Sequence, residues 1–195
     1  MPIKSALEIA LENTKNVEGD KQALETKKYS DEGRRMVAKL FDDPAFDLKA
    51  ALKAYEKKQL AWVREGMIQS LLSNIVLPLD EIALKRNKQT GDIIASAGSE
   101  ARKLNMILGQ LDGFYKGYLD ERKQIMQALE KQYAPKLRRK EEEMSKQMGQ
   151  RVKINPAQDP EFAAMQRQYL AQLDMKFGDE LNNAKEMIKT HFLGG

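Results

Sequence analysis

The sequence predicts an all-α protein whose N-terminal helices pack on a long antiparallel helical hairpin of coiled-coil type. Three observations carry that prediction. Ala, Leu, Glu, Lys, Arg, Gln and Met supply 116 of the 195 residues, and these types lose little side-chain freedom in a helix. Val, Ile and Thr supply only 20, few for a sheet protein. Two long apolar stripes at helical spacing flank a single proline-rich turn in the second half of the chain. The organisation that follows is an N-terminal helical region over 1–92 and a hairpin over 93–195, turning near 150–160.

Each element has a local reason. Ser5-Ala6-Leu7-Glu8 fits a capping box, so a short helix is expected over about 6–15. Asn16 to Gly19 reads as a linker, followed by a helix over about 20–41 with Leu24, Met36, Val37, Leu40 and Phe41 as its apolar members. Asp43-Pro44 offers a cap and then proline at the first helical position. A third helix should run from there to about Leu77, with Leu48, Leu52, Tyr55, Val63, Met67 and Leu71 near one face. Pro78 ends or kinks it. The stretch 79–98 is the least legible, and Arg86 to Asp92 reads as a loop. One long helix is then expected over about 93–149. Its residues Leu104, Leu108, Leu111, Tyr115, Tyr118, Arg122, Ile125 and Leu129 form a heptad seam, and Pro135 should kink it. After the turn, Asp159-Pro160 repeats the cap-plus-proline signal, with Glu161 in the first turn. The last helix should reach about Thr190 along the stripe Phe162, Met165, Tyr169, Leu173, Phe177, Leu181, Ala184 and Ile188.

Composition limits the function classes. Hydrophobic residues make up 42%, charged residues 32%, and the formal net charge is +4, which argues against a disordered chain. The absence of cysteine excludes disulfides, thiolate metal sites and cysteine nucleophiles. No apolar run approaches the roughly 18 residues of a membrane span, and the N-terminus lacks a signal-peptide core; a soluble cytoplasmic protein is expected. No Gly-rich phosphate loop, Gly-x-Ser-x-Gly, calcium loop or zinc-type His-Glu pair is present. His191 is the only histidine and has no carboxylate at helical metal spacing. No cofactor, metal or catalytic residue is assigned.

Three features invite a partner. Gly109, Gly113 and Gly117 stand four apart inside the long helix. Each costs roughly 1 kcal/mol against Ala, so something should offset them. A row of small residues permits close helix approach, from the same chain or a second one; a broken or bent helix is the third reading. Next, residues 136–153 carry Lys136, Arg138, Arg139, Lys140, Lys146, Arg151 and Lys153 against three glutamates, a surplus equal to the whole net charge. That basic tip could meet nucleic acid or an acidic protein, or be a solvated helix end. No aromatic residue is interleaved for base stacking, and the glutamates repel phosphate. Last, seven of the ten methionines fall in the hairpin. Most fit core packing, while Met144 and Met148, one turn apart in the most polar section, suit an exposed contact.

The stretches LLSNIVLPLDE, YAPKLRRKEEE and INPAQDPEF resemble those of a family of uncharacterised bacterial helical proteins. The resemblance covers the chain from the helix before Pro78 to the end. It implies a helical fold and carries no activity.

The function expected from these residues is that of a non-enzymatic cytoplasmic scaffold or adaptor acting by protein–protein contact, with a second copy of the chain as one partner. Nucleic-acid or ribonucleoprotein binding through the basic tip, and a holdase-like chaperone, are the alternatives. No membrane contact is expected.

Overall fold

The computed structural model describes residues 6–43 and 45–194, with side chains from residue 21 onward. It is all-α, 85% helical with no strand among these residues. The helices are α1 (Ala6–Asp42), α2 (Leu48–Leu52), α3 (Lys57–Asn74), α4 (Glu81–Ala97), α5 (Ala101–Met148) and α6 (Pro160–Leu193), with a short 3₁₀ turn at Pro156–Gln158.

Several boundaries differ from those expected, each for a physical reason. The linker at Asn16 to Gly19 is helical, so α1 is one continuous helix; one Gly and one Asn among strong helix formers cost too little to break it. The Ser5 capping box lies outside the described residues, as does Pro44. The single third helix is two. Asp43 accepts from the Ala45 N–H at 2.9 Å and closes a turn, while the cap is Asp47, which accepts from the Ala50 N–H at 3.0 Å. A second start follows at Glu56, whose N–H donates to the Gln59 side chain at 3.3 Å. The expected loop Arg86 to Asp92 lies inside α4. Its polar residues have a purpose there: Asn87, buried, accepts from the Val76 N–H at 3.2 Å and donates to the Val76 carbonyl at 2.6 Å. This satisfies the backbone of the chain leaving α3.

The long helix begins at Ala101 rather than near 93, and α6 continues to Leu193. Residues 98–100 form a corner. There the Ser99 and Glu100 N–H groups donate to the carbonyls of Phe192 and His191 at 3.0 and 3.1 Å. One helix end thus supplies the orphan acceptors that another helix start needs. Arg64 donates to the Ala97 carbonyl at 3.0 Å and to Ser99, and Lys189 pairs with Glu65 at 3.1 Å. These bonds tie α3 to the corner and to the last turns of α6. α5 is helical through Pro135 and ends at Met148, where Gly149 takes φ +66°, the left-handed conformation that glycine supplies after a helix.

The chain forms two compact units. The first holds the described residues up to Ile75, Gln89–Asn105 and those from Ile188 on; the second holds Val76–Lys88 and Met106–Met187. The position expected to divide the chain, residue 92, lies within α4.

In the first unit α1 and α3 cross backbone to backbone. A Cβ on Gly33 would lie 2.1 Å from the Val63 carbonyl oxygen, and one on Gly66 would lie 2.0 Å from that of Ser30. Val37, Val63, Met67, Ile68 and Leu71 are buried around this crossing, and Tyr29 stacks on Trp62 with centroids 6.0 Å apart.

In the second unit α5 and α6 run antiparallel. Tyr118 meets Phe177 and Leu173, while Tyr133 meets Phe162. One partner number rises as the other falls, as antiparallel pairing requires. Tyr118 donates to Asp174 at 2.7 Å, and Lys176 pairs with Glu121 at 3.2 Å.

Candidate interaction surfaces

Gly109, Gly113 and Gly117 are exposed, and a Cβ built on any of them meets nothing within 4 Å. Among the described residues, no helix of this chain packs on the row. Of the three readings of the row, packing within the chain is not seen among the described residues, and the helix is not broken: α5 is helical through all three glycines. Met106, in the same row one turn earlier, is 62% exposed. The close helix approach within this chain uses Gly33 and Gly66 instead. No spacing in the sequence marks that pair, because the two glycines lie on different helices.

The basic tip divides into paired and unpaired charge. Lys140 donates to Asp159 at 2.6 Å and to the Tyr133 hydroxyl at 2.9 Å, and Lys136 pairs with Glu161. The Tyr133 hydroxyl in turn donates to Asp159 at 2.8 Å. Asp159 also accepts from the Glu161 and Phe162 N–H groups at 3.0 and 3.3 Å, which makes it the cap the sequence predicts for α6. Only 5% exposed, it is satisfied on every side. The hydrogen bond from Lys140 holds its carboxyl well below the usual carboxylate range, and the same bond holds the Lys140 ammonium above the usual lysine range. The hydrogen bond from Lys136 likewise lowers Glu161. Burial raises the Tyr133 phenol. This network fastens the hairpin; its groups are committed to one another.

Arg138, Arg139, Lys146, Arg151 and Lys153 are exposed, and their side chains make no hydrogen bond or ion pair among the described residues. Beside them lies a groove of about 520 Å³. One wall is the α5 face of Lys140, Glu143, Met144 and Gln147; the other is the returning chain at Val152–Ile154 and Gln158–Pro160. Val152 and Ile154 are half-buried while Arg151, Lys153 and Asn155 are exposed, the alternation of an extended backbone. The Val152 N–H donates to Ser145 at 2.8 Å and the Ile154 N–H to Glu141 at 2.9 Å, which fixes this strip against α5. Met144 and Met148 are 41% and 58% exposed, as an interaction surface needs. The groove itself is a feature that sequence reading missed; the alternation of Val152 and Ile154 in a stretch read only as a turn was the available signal.

His191 lies within α6, and its Nδ1 meets the Glu100 carboxylate, a pair that no helical spacing reveals. Among the described residues, no group of three His, Asp or Glu side chains could hold a metal ion, and no helix is long and apolar enough to cross a membrane.

Residues 49–190 match the model of the family of unknown function DUF6657. The chain belongs to this family. The match runs from α2 to near the end of α6 and so includes both the glycine row and the tip. No curated protein and no solved structure matches the chain.

Proposed function

We propose that the protein is a non-enzymatic helical scaffold or adaptor of the bacterial cytoplasm, and that its coiled-coil-like hairpin pairs with a second copy through the exposed face of α5. The open glycine row carries this reading. Three glycines in a helix interior sacrifice roughly 3 kcal/mol in all, and no packing within the described chain offsets that loss. A helix laid along Gly109, Gly113 and Gly117 would approach closely enough to recover it. The row is self-complementary about Gly113, which suits a two-fold contact.

The absence of native cysteine makes the test direct. A Gln110→Cys/Lys116→Cys variant, exposed beside the row and leaving its three glycines in place, should form a disulfide-linked dimer under mild oxidation. Lys27→Cys, on exposed α1, should not. No cross-link from the flanking cysteines, or equal cross-linking through Lys27→Cys, would refute the self-pairing.

Nucleic-acid binding through the tip is the second reading, favoured by the five unpaired cations and weakened by the engagement of Lys136 and Lys140 with carboxylates. It predicts binding of an RNA or DNA oligonucleotide that falls steeply with salt and is lost on reversing the unpaired Arg138, Arg139 and Lys146 to glutamate. A holdase role draws on exposed Met144 and Met148 and predicts suppressed aggregation of an unfolded client.

A further inference from the structure

We infer that the groove at the hairpin tip docks an extended acidic peptide that carries a large apolar side chain. This inference rests on the adaptor reading and names the partner's chemistry. The observations are chemical complementarity on two sides. The walls offer Met144, Val152, Ile154 and Pro160 as an apolar lining, large enough at about 520 Å³ to take one bulky side chain with its neighbours. Methionine adapts its shape to such a guest. Lys153 lines the groove and Arg151 stands two residues before it on the same strip, both exposed and their side chains without partners among the described residues, with Lys146 in the last turn of α5.

The backbone adds a third element. Val152 and Ile154 turn their N–H groups onto α5. In an extended strip the N–H groups of the intervening residues point the opposite way. Those of Arg151 and Lys153 bond nothing among the described residues, so a peptide strand could add along this edge. Acidic side chains on that strand would meet the two cations, and its apolar side chain would enter the groove.

A nucleic acid fits this site less well. Lys140 is bound to Asp159, Glu143 lines the wall, and Tyr133, the nearby aromatic, is buried against Phe162 where no base can stack on it.

The test is selection of a random 12-residue phage-displayed peptide library on the intact chain. Enriched peptides should carry Asp or Glu flanking a large apolar residue. Measured by fluorescence anisotropy, they should bind the Arg151→Glu/Lys153→Glu variant about tenfold or more weakly, and Met144→Glu should weaken them comparably. All three positions are exposed, and circular dichroism reports whether helix content is kept. Enrichment no better than on the double variant, enrichment of peptides without acidic residues, or a 20-nucleotide RNA that binds more tightly than any enriched peptide would each overturn the inference. The glycine-row dimer is read separately: the tip variants should leave cross-linking through Gln110→Cys/Lys116→Cys intact, so failure here and failure of the self-pairing are distinguishable.

Discussion

Two glycine sets in this chain obey opposite rules, and the difference is local space. At Gly33 and Gly66 an added methyl would collide with a backbone carbonyl oxygen, which cannot move without separating α1 from α3. Gly66→Ala should therefore destabilise the protein by about 1–3 kcal/mol or more, read as a lowered midpoint of urea unfolding. At Gly109 the added methyl meets nothing, and Ala forms helix better, so Gly109→Ala should raise the stability of the monomer by about 0.5–1 kcal/mol. Tyr115 is likewise governed by its surroundings. It is buried, its hydroxyl has no hydrogen-bond partner among the described residues, and burial raises its phenol pKa. An unsatisfied buried hydroxyl costs about 1–3 kcal/mol, so Tyr115→Phe should leave the midpoint unchanged or raise it. A clear fall in the midpoint would mean that the hydroxyl has a partner.

At the scale of elements, the first turn of α6 is the most heavily tied. Asp159 caps it and binds Tyr133 and Lys140. Its folded carboxyl lies below the ordinary value of about 4, so the folded state holds fewer protons there than the unfolded one. That contribution is fully present above pH ~4 and is lost as pH falls through the folded value. Lys140, raised when folded, contributes fully below about pH 10.4 and loses its share above. The tip should therefore loosen in acid below about pH 4, seen as faster amide exchange at Glu161 and Phe162. Asp159→Asn should keep the cap yet lose much of that acid response.

The same scale shows what was legible in the sequence. The α6 start at Asp159-Pro160 and the seam from Leu104 to Leu129 could be read, because a cap and a helical stripe act through neighbours three or four residues away. The α4 helix across Arg86 to Asp92 could not. Asn87 looks like a loop residue until Val76, eleven positions earlier, is placed beside it. The break at Gly98 to Glu100 likewise depends on His191 and Phe192. Of the candidate surfaces, the composition of the tip was visible, but not that Lys136 and Lys140 are paired with carboxylates. The groove depends on how the chain turns back after Gly149.

For the molecule as a whole, the two proposed contacts use separate surfaces: the glycine row on α5, where an added Cβ meets nothing within 4 Å, and the groove at the tip. Sedimentation equilibrium of the wild type beside Gly113→Leu decides the proposed self-pairing. Leucine is a good helix former and meets open space in the monomer, so the variant should fold while blocking close helix approach. Self-pairing predicts a wild-type mass of twice 22.2 kDa and a variant mass of 22.2 kDa. A wild type that stays monomeric at a concentration of about 1 mM, where even weak complexes form, or a variant that dimerises equally well, would contradict it.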